Sequence, residues 1–177
     1  MNPLTIRAVP VRRCQTSAAL LCVLLTALCK PVLAASCNLS IGNLSFGSYV
    51  GAQISSTSSA SLTCTKTAPG NTPEHIDYTV SLSTGAGSYA QRTMTRTALP
   101  ADTLPYNLYL NLLPPVLNTS VWGDGTGTTV RWTGSMNLTS GNPTRTDTAT
   151  LVGAIPAGSV PSAGTYQDTV VATVVIL

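Results

Sequence analysis

Charge is scarce in this sequence. Only nine of its 177 residues are Lys or Arg and six are Asp or Glu. Four of the nine bases, Arg7, Arg12, Arg13 and Lys30, lie in the first 30 positions with no acid beside them. From Ala35 onward five bases (Lys66, Arg92, Arg96, Arg131, Arg145) stand against six acids (Glu74, Asp77, Asp102, Asp124, Asp147, Asp168), a formal charge of −1. Without clustered Lys and Arg to neutralise phosphates, nucleic-acid binding is excluded as a leading reading. Histidine is scarcer still: His75 is the only one. A structural metal site needs more Cys or His than that. A Ser–His–Asp arrangement would have to use His75 with Asp77, two residues along a strand, which does not orient nucleophile and base. There is no nucleophile elbow, and the carboxylates are scattered singly, so no paired-carboxylate hydrolase is supported. No catalytic residue, metal or cofactor is expected.

Long apolar runs are missing too. Ala18 to Leu28 is 11 residues, against about 20 for a membrane span. Behind a basic start it suits the apolar region of a signal peptide, and Val32-Leu33-Ala34 offers small residues for cleavage after Ala34. An uncleaved anchor is disfavoured by length. A lipid-bearing Cys37 is disfavoured by Ala34 three positions before it. The expected organisation is therefore residues 1–34 as a cleaved signal peptide and residues 35–177 as one domain. The most apolar later stretch, Val170 to Leu177, is too short to span. Cys14, Cys22 and Cys29 would leave with the signal. Cys37 and Cys64 remain, and in an oxidising compartment the default is a disulfide.

What is abundant is Thr and Ser: 24 and 17 residues from Ala35 onward. Thr favours strands, and helix-favouring stretches are few. Period-two runs follow. Ile76, Tyr78, Val80 and Leu82 alternate with polar residues. Val130, Trp132, Met136 and Leu138 do so with Gly134 interrupting. Leu104, Tyr106, Leu108 and Leu110 alternate around Asn107 and Tyr109, and Ala149, Leu151, Gly153 and Ile155 make a short run. Each implies one buried and one exposed face. Tyr166 to Leu177 starts alternating and turns continuously apolar, as would a strand covered on both faces or an edge that something else covers. Gly42-Asn43, between Ile41 and Leu44, suits a bulge or a switch between sheets. Turn signals at 68–71, 140–143 and 155–158 give the spacing of an antiparallel sandwich. Trp122-Gly123-Asp124-Gly125 lacks the Lys and helix of a phosphate loop and the carboxylates of a calcium loop. A tight turn with the Trp packed on it is expected. Asn-x-Ser/Thr occurs at Asn38, Asn43, Asn118 and Asn137.

Several stretches resemble one family. They are Cys37 with Leu44-Ser45-Phe46-Gly47-Ser48-Tyr49; Cys64; Tyr78-Thr79-Val80-Ser81-Leu82-Ser83-Thr84-Gly85; Arg92-Thr93-Met94; Leu104-Pro105-Tyr106-Asn107-Leu108-Tyr109; Trp122-Gly123-Asp124-Gly125-Thr126; Gly153-Ala154-Ile155-Pro156-Ala157-Gly158; and Gly164-Thr165-Tyr166-Gln167-Asp168-Thr169-Val170. In this order, over residues 37–177, they resemble the spore coat protein U domain of secreted coat proteins and archaic chaperone–usher pilus subunits. The resemblance implies an all-β, immunoglobulin-like sandwich lacking its last strand. It also implies export to the periplasm and then to the cell surface, a fimbrium or the medium. A periplasmic chaperone, an outer-membrane usher and neighbouring subunits are the implied partners, engaged by strand addition. The acceptor groove is expected to be lined by Leu44, Phe46, Val170, Ala172, Val174 and Ile176. Tyr166 is expected to cap the core, with Asp168 bonded to nearby backbone or an Arg. Cleavage after Ala34 leaves only Ala35 and Ser36 before Cys37, so the expected subunit accepts a strand and donates none. The alternative is a lone secreted adhesin or carbohydrate-binding module, for which Tyr49, Tyr89, Tyr109 and Trp122 would form an exposed patch.

Overall fold

A computed structural model describes residues 35–111, 114–115 and 120–177 in full, and residues 5–11 as backbone. The apolar run Ala18–Leu28, the cleavage motif, Cys14, Cys22, Cys29 and Asn118 lie outside the described residues. The described residues form eleven strands: β1 (Thr5–Val11), β2 (Ser36–Ile41), β3 (Ile54–Thr65), β4 (Glu74–Leu82), β5 (Ala86–Gly87), β6 (Arg92–Arg96), β7 (Thr103–Leu110), β8 (Trp132–Leu138), β9 (Thr144–Ile155), β10 (Tyr166–Gln167) and β11 (Thr169–Ile176). The described residues contain no helix.

The strands form two layers. One sheet has the order β1-β11-β4-β8. The other has the order β10-β6-β7-β9-β3-β2, with β5 on β6. All ladders are antiparallel except β1–β11. The fold is thus the all-β sandwich the turn spacing implies. The core lies between the layers, where Ile76, Tyr78, Val80 and Leu82 of β4 meet Leu62, Leu104, Leu108, Leu151 and Ile155 of the opposite sheet. Trp132 stands edge-on to Tyr78 and to Trp122, at 5.6 and 6.2 Å between ring centres. Such aromatic pairs favour this geometry, since ring edges are positive and faces negative.

The backbone of the second sheet is β3 with β9, paired over twelve residues from Ile54↔Ile155 to Thr65↔Thr144. Ala60, Leu62 and Cys64 of β3 point inward, while Thr63 and Thr65 share hydroxyl bonds with Thr146 and Thr144, at 2.8 and 3.2 Å. Cross-strand Thr pairs of this kind favour the ladder. β2 closes one edge, and its Cys37 is bonded to Cys64 directly opposite, with Cα atoms 4.0 Å apart.

After β2 the chain bends at Gly42, whose N–H bonds Ser59 O at 3.0 Å, and crosses the inner face of β9. There Gly153 leaves room: a Cβ at this position would stand 2.6 Å from Phe46 Cζ and 3.0 Å from Leu44 Cδ1. Gly153→Ala should cost about 1–3 kcal/mol by overpacking, read as a lower urea midpoint with unchanged slope. An unchanged midpoint would contradict the contact.

Three expectations are corrected. On β7, Asn107 and Tyr109 do not face solvent. Tyr109 packs in a second small cluster with Val121, Val152 and Ala154, and Asn107 is held by the loop after β5. Tyr166–Leu177 is not one strand. It divides at Asp168, so that β10 joins β6 in one sheet and β11 joins β4 in the other. Trp122 does not sit on its turn; it is 0% exposed and its indole N–H bonds Val80 O at 3.0 Å.

Candidate strand-acceptor groove

Alternation along β11 sets the site. Val170 and Ala172 are 0% exposed and Val174 is 5% exposed, while Ile176 is partly buried at the strand end. One edge of β11 bonds β4, from Ala172↔Leu82 to Ile176↔Tyr78. The other edge receives β1, parallel and in register from Thr5↔Thr169 to Val11↔Val175. β1 also lies beside β2, the last strand of the opposite sheet. It therefore fills the opening between the two sheets on the side away from β8. Ile6, Ala8 and Pro10 fall at the register positions of Val170, Ala172 and Val174. A proline is admissible there, since β1 is an edge strand and one N–H can be spared.

Of the six residues expected to line the groove, four are on β11. Leu44 and Phe46 lie instead against the opposite sheet, Phe46 edge-on to Tyr106 at 6.3 Å. All six belong to or pack against one apolar cluster.

The start of β11 is fixed by polar contacts. Asp168 takes the Ala86 N–H on both oxygens at 3.1 and 3.2 Å, the Thr169 N–H at 2.7 Å and the Tyr106 hydroxyl at 2.6 Å. Its partners are backbone and a phenol. Gly85 makes this approach possible: its φ is +61°, and a Cβ there would be 2.2 Å from Asp168 Oδ2. Tyr166 is buried, and its hydroxyl donates to Ser162 O at 2.9 Å.

Behind Asp168 lies Arg92, which is 0% exposed. Its guanidinium donates to Ser83 O at 2.8 and 3.1 Å, to Trp122 O at 2.8 Å and to Asn107 Oδ1 at 2.6 Å, with the Tyr89 ring 5.3 Å away. Burial pushes the Arg92 guanidinium down from its ordinary value. A planar fork with several donors can join three segments where a point charge cannot. The motif Arg92-Thr93-Met94 was visible in the sequence, but its joining role was not. An isolated Arg before a Met reads as surface until the carbonyls around it are known.

Burial pushes the Tyr106 phenol far above its ordinary range, assisted by the bond to Asp168. Burial and Asp147, which takes the Tyr78 hydroxyl at 2.9 Å, do the same to Tyr78. A phenol raised in the folded state stays protonated while the unfolded chain ionises. Its stabilisation is full below about pH 10 and falls above it. The melting temperature should therefore drop above pH 10, and Tyr106→Phe should flatten that slope. An equal slope in the variant would show that Tyr106 does not carry it.

The remaining polar clusters are modest. Asp124 Oδ1 takes the Thr126 N–H and hydroxyl at 2.9 and 2.6 Å, which closes the turn and holds its carboxyl below the usual range. His75 is exposed, bonded to Asn137 Oδ1 at 2.6 Å and 3.2 Å from Asp77. Among the described residues no group of three or more His, Cys, Asp or Glu could hold a metal. No helix there is long and apolar enough to cross a membrane. The expected aromatic patch is not present. Trp122 and Tyr109 are buried, Tyr89 is partly buried with its hydroxyl on Leu82 O, and Tyr49 is tied by its hydroxyl to Pro156 O at 2.7 Å.

Comparison with known proteins adds the family. No curated relative matches the chain. Among the similar solved structures is a chain of a chaperone–tip adhesin complex described as vital for synergistic activation of CFA/I fimbriae biogenesis. Identity is 15% and the TM-score 0.41, with 77% of this chain and 42% of that chain covered. This chain therefore spans less than half the length of that one. The model of the Spore Coat Protein U domain matches residues 21–173. With that match extending through the disulfide, the Arg92 junction and most of β11, the chain belongs to the spore coat protein U domain family.

Proposed function

We propose that the chain is an exported structural subunit of a bacterial surface pilus or coat, assembled by chaperone and usher, which accepts a strand along β11. The observation that carries this reading is the β11 edge itself. It lies at the opening of the sandwich, its buried alternation is that of an interior strand, and it takes a seven-residue strand from outside residues 35–177. If residues 1–34 are removed at export, that edge is left open. An open apolar edge is an aggregation hazard unless another strand covers it, and strand addition is the way to cover it. Backbone bonds supply the affinity, and the buried register at Val170, Ala172 and Val174 supplies the fit.

The same reading makes the subunit an acceptor only, tip-like or non-polymerising. After cleavage at Ala34 the first strand begins at Ser36, and Ser36–Ile41 is already paired with β3 and bonded at Cys37. Those residues cannot be lent to a neighbour. The lone adhesin reading loses its motivation with the aromatic patch.

Intact mass of the exported protein tests the organisation, with Ala35 expected as the first residue. A mature N-terminus ten or more residues before Cys37 would overturn the acceptor-only role. Co-expression with a periplasmic pilus chaperone tests the mechanism. A soluble one-to-one complex is expected, against aggregation alone. For the chain without residues 1–34, a stable solitary monomer with fully protected Val170–Ile176 amides would refute it.

A further inference from the structure

We propose that β8 is a second pairing edge, through which two copies of the chain join side by side in one continuous sheet. This goes beyond the acceptor reading and does not depend on it, since β8 is the far edge of that sheet, separated from β11 by β4.

Hydrogen-bonding groups are left over on β8. Among the described residues it pairs with β4 alone, in an unbroken ladder from Glu74↔Leu138 to Val80↔Trp132. Every second residue of β8 turns its N–H and C=O away from β4, and no backbone group among the described residues bonds them there. A bare edge is a template for another strand, so natural edges are blunted by shortness, charge, proline or a bulge. Two of those devices appear elsewhere in this fold. β5 and β10 are two residues each. β9 has no partner strand beside residues 144–149 on the side away from β3, and that stretch carries Arg145 and Asp147. β8 has none of the four. It is seven residues long, Trp132-Thr133-Gly134-Ser135-Met136-Asn137-Leu138, with no charge, proline or bulge.

The symmetry of this strand names a second copy as the occupant. Laid antiparallel on itself about Ser135, β8 matches at every position. On the exposed face Ser135 meets Ser135 and Thr133 meets Asn137; on the core side Gly134 meets Met136 and Trp132 meets Leu138. Such a contact is isologous, the same patch serving both copies. Asn137 gives its amide oxygen to His75 at 2.6 Å, which leaves its NH2 to donate to the opposing Thr133 hydroxyl. Arg131, the nearest base, falls opposite Thr139 rather than opposite itself. One strand pair is small beside a standard interface of about 1,600 Å², so the pairing belongs to crowded subunits on a surface rather than to dilute protein. It leaves a β11 edge at each end of the joined sheet, and gives a subunit that donates no strand a way to join its like.

The experiment places single cysteines on the exposed face of β8 in the exported chain, purified with a periplasmic pilus chaperone, and oxidises concentrated protein. Directly opposed positions stand about 4.5–5.5 Å apart at Cβ, close enough for a disulfide. Ser135→Cys, on the two-fold axis, should cross-link to a covalent dimer. Thr133→Cys alone should not, whereas Thr133→Cys mixed with Asn137→Cys should. Absence of the Ser135→Cys dimer overturns the inference, and so does equal cross-linking by Thr133→Cys alone, which is the mark of random collision. A second measurement needs no cysteine. Sedimentation of concentrated complex should show a doubled mass at unchanged chaperone ratio. Ser135→Lys should remove the doubled species by setting two ammonium groups face to face, with the urea midpoint unmoved because Ser135 is exposed. A doubled species undiminished by the lysine overturns the inference. The two readings fail separately. If the chaperone complex forms and neither doubles nor cross-links, β8 pairing fails and the acceptor edge stands. If no chaperone complex forms, the acceptor edge fails, and the same cross-linking on the chain alone decides β8.

Discussion

Arg92→Met lowers the stability of the domain by about 2–5 kcal/mol, because it leaves up to three buried acceptors, Ser83 O, Trp122 O and Asn107 Oδ1, short of a donor at about 1–3 kcal/mol each. Against a net stability of about 5–15 kcal/mol for an ordinary domain, that is a large fraction from one side chain. The apolar replacement fills similar space, so the loss is electrostatic rather than a cavity effect. Arg92→Lys should retain part of the charge but cannot reach three acceptors at once, and falls between the two. The measurement is urea unfolding followed by tryptophan fluorescence, since Trp122 is one of the joined segments. An unfolding free energy within about 0.5 kcal/mol of the parent would show that the junction contributes nothing.

Removing the disulfide has the second large effect. Cys37 and Cys64 lie 27 positions apart in sequence, and opening such a loop frees the unfolded chain by about 3–4 kcal/mol in the chain-entropy model. The double variant Cys37→Ala, Cys64→Ala should therefore melt about 10 °C lower, at about 2–4 °C per kcal/mol for a domain of this size. The loss should appear equally in the parent under reducing conditions. A further reading distinguishes this variant from Arg92→Met: β2 stands at a sheet edge, so its amides should lose protection first, before those of β3 and β9. Uniform loss across the sheet would argue that the bond holds the whole fold rather than its edge.

How much of this was legible in the sequence depends on what each strand buries. β4 and β8 were readable because Ile76 to Leu82 and Trp132 to Leu138 alternate cleanly between core and solvent. β3 was not, although it is half of the longest ladder. Ile54 to Ser59 carries hydroxyl residues on both faces, and only Ala60, Leu62 and Cys64 enter the core. Ser and Thr satisfy a ladder without announcing a face. β6 was missed as a strand because one of its inward positions is Arg92, and periodicity counts an arginine as outward. The second face of β7 was read as exposed because nothing local says that Val121 and Val152 will cover Tyr109. Trp122 was misplaced for the same reason: a Gly-Asp-Gly turn follows it, while its burial is decided by β4 and β8.

The candidate groove was legible in part. Val170, Ala172 and Val174 were named on the family resemblance, in a stretch that reads as continuously apolar, and they lie on the inward register of β11. Leu44 and Phe46 were assigned by family resemblance, and their neighbours are Gly153 and Tyr106 on the other sheet. The strand pairing with Thr5–Val11 had no signal that separates it from an export leader, because the same short apolar alternation serves either purpose.

The division at Asp168 has a mechanical side. β10 and β11 are one continuous piece of chain, yet each is fastened to a different sheet. A pull along β11, such as a strand held at its edge would transmit, cannot slide one layer past the other without first stretching this joint. The joint is pinned by four hydrogen bonds to a single carboxylate, from β5, β7 and the first residue of β11. Load entering along β11 thereby passes through the Asp168 joint into the other layer, one of several places where the chain crosses between the two sheets.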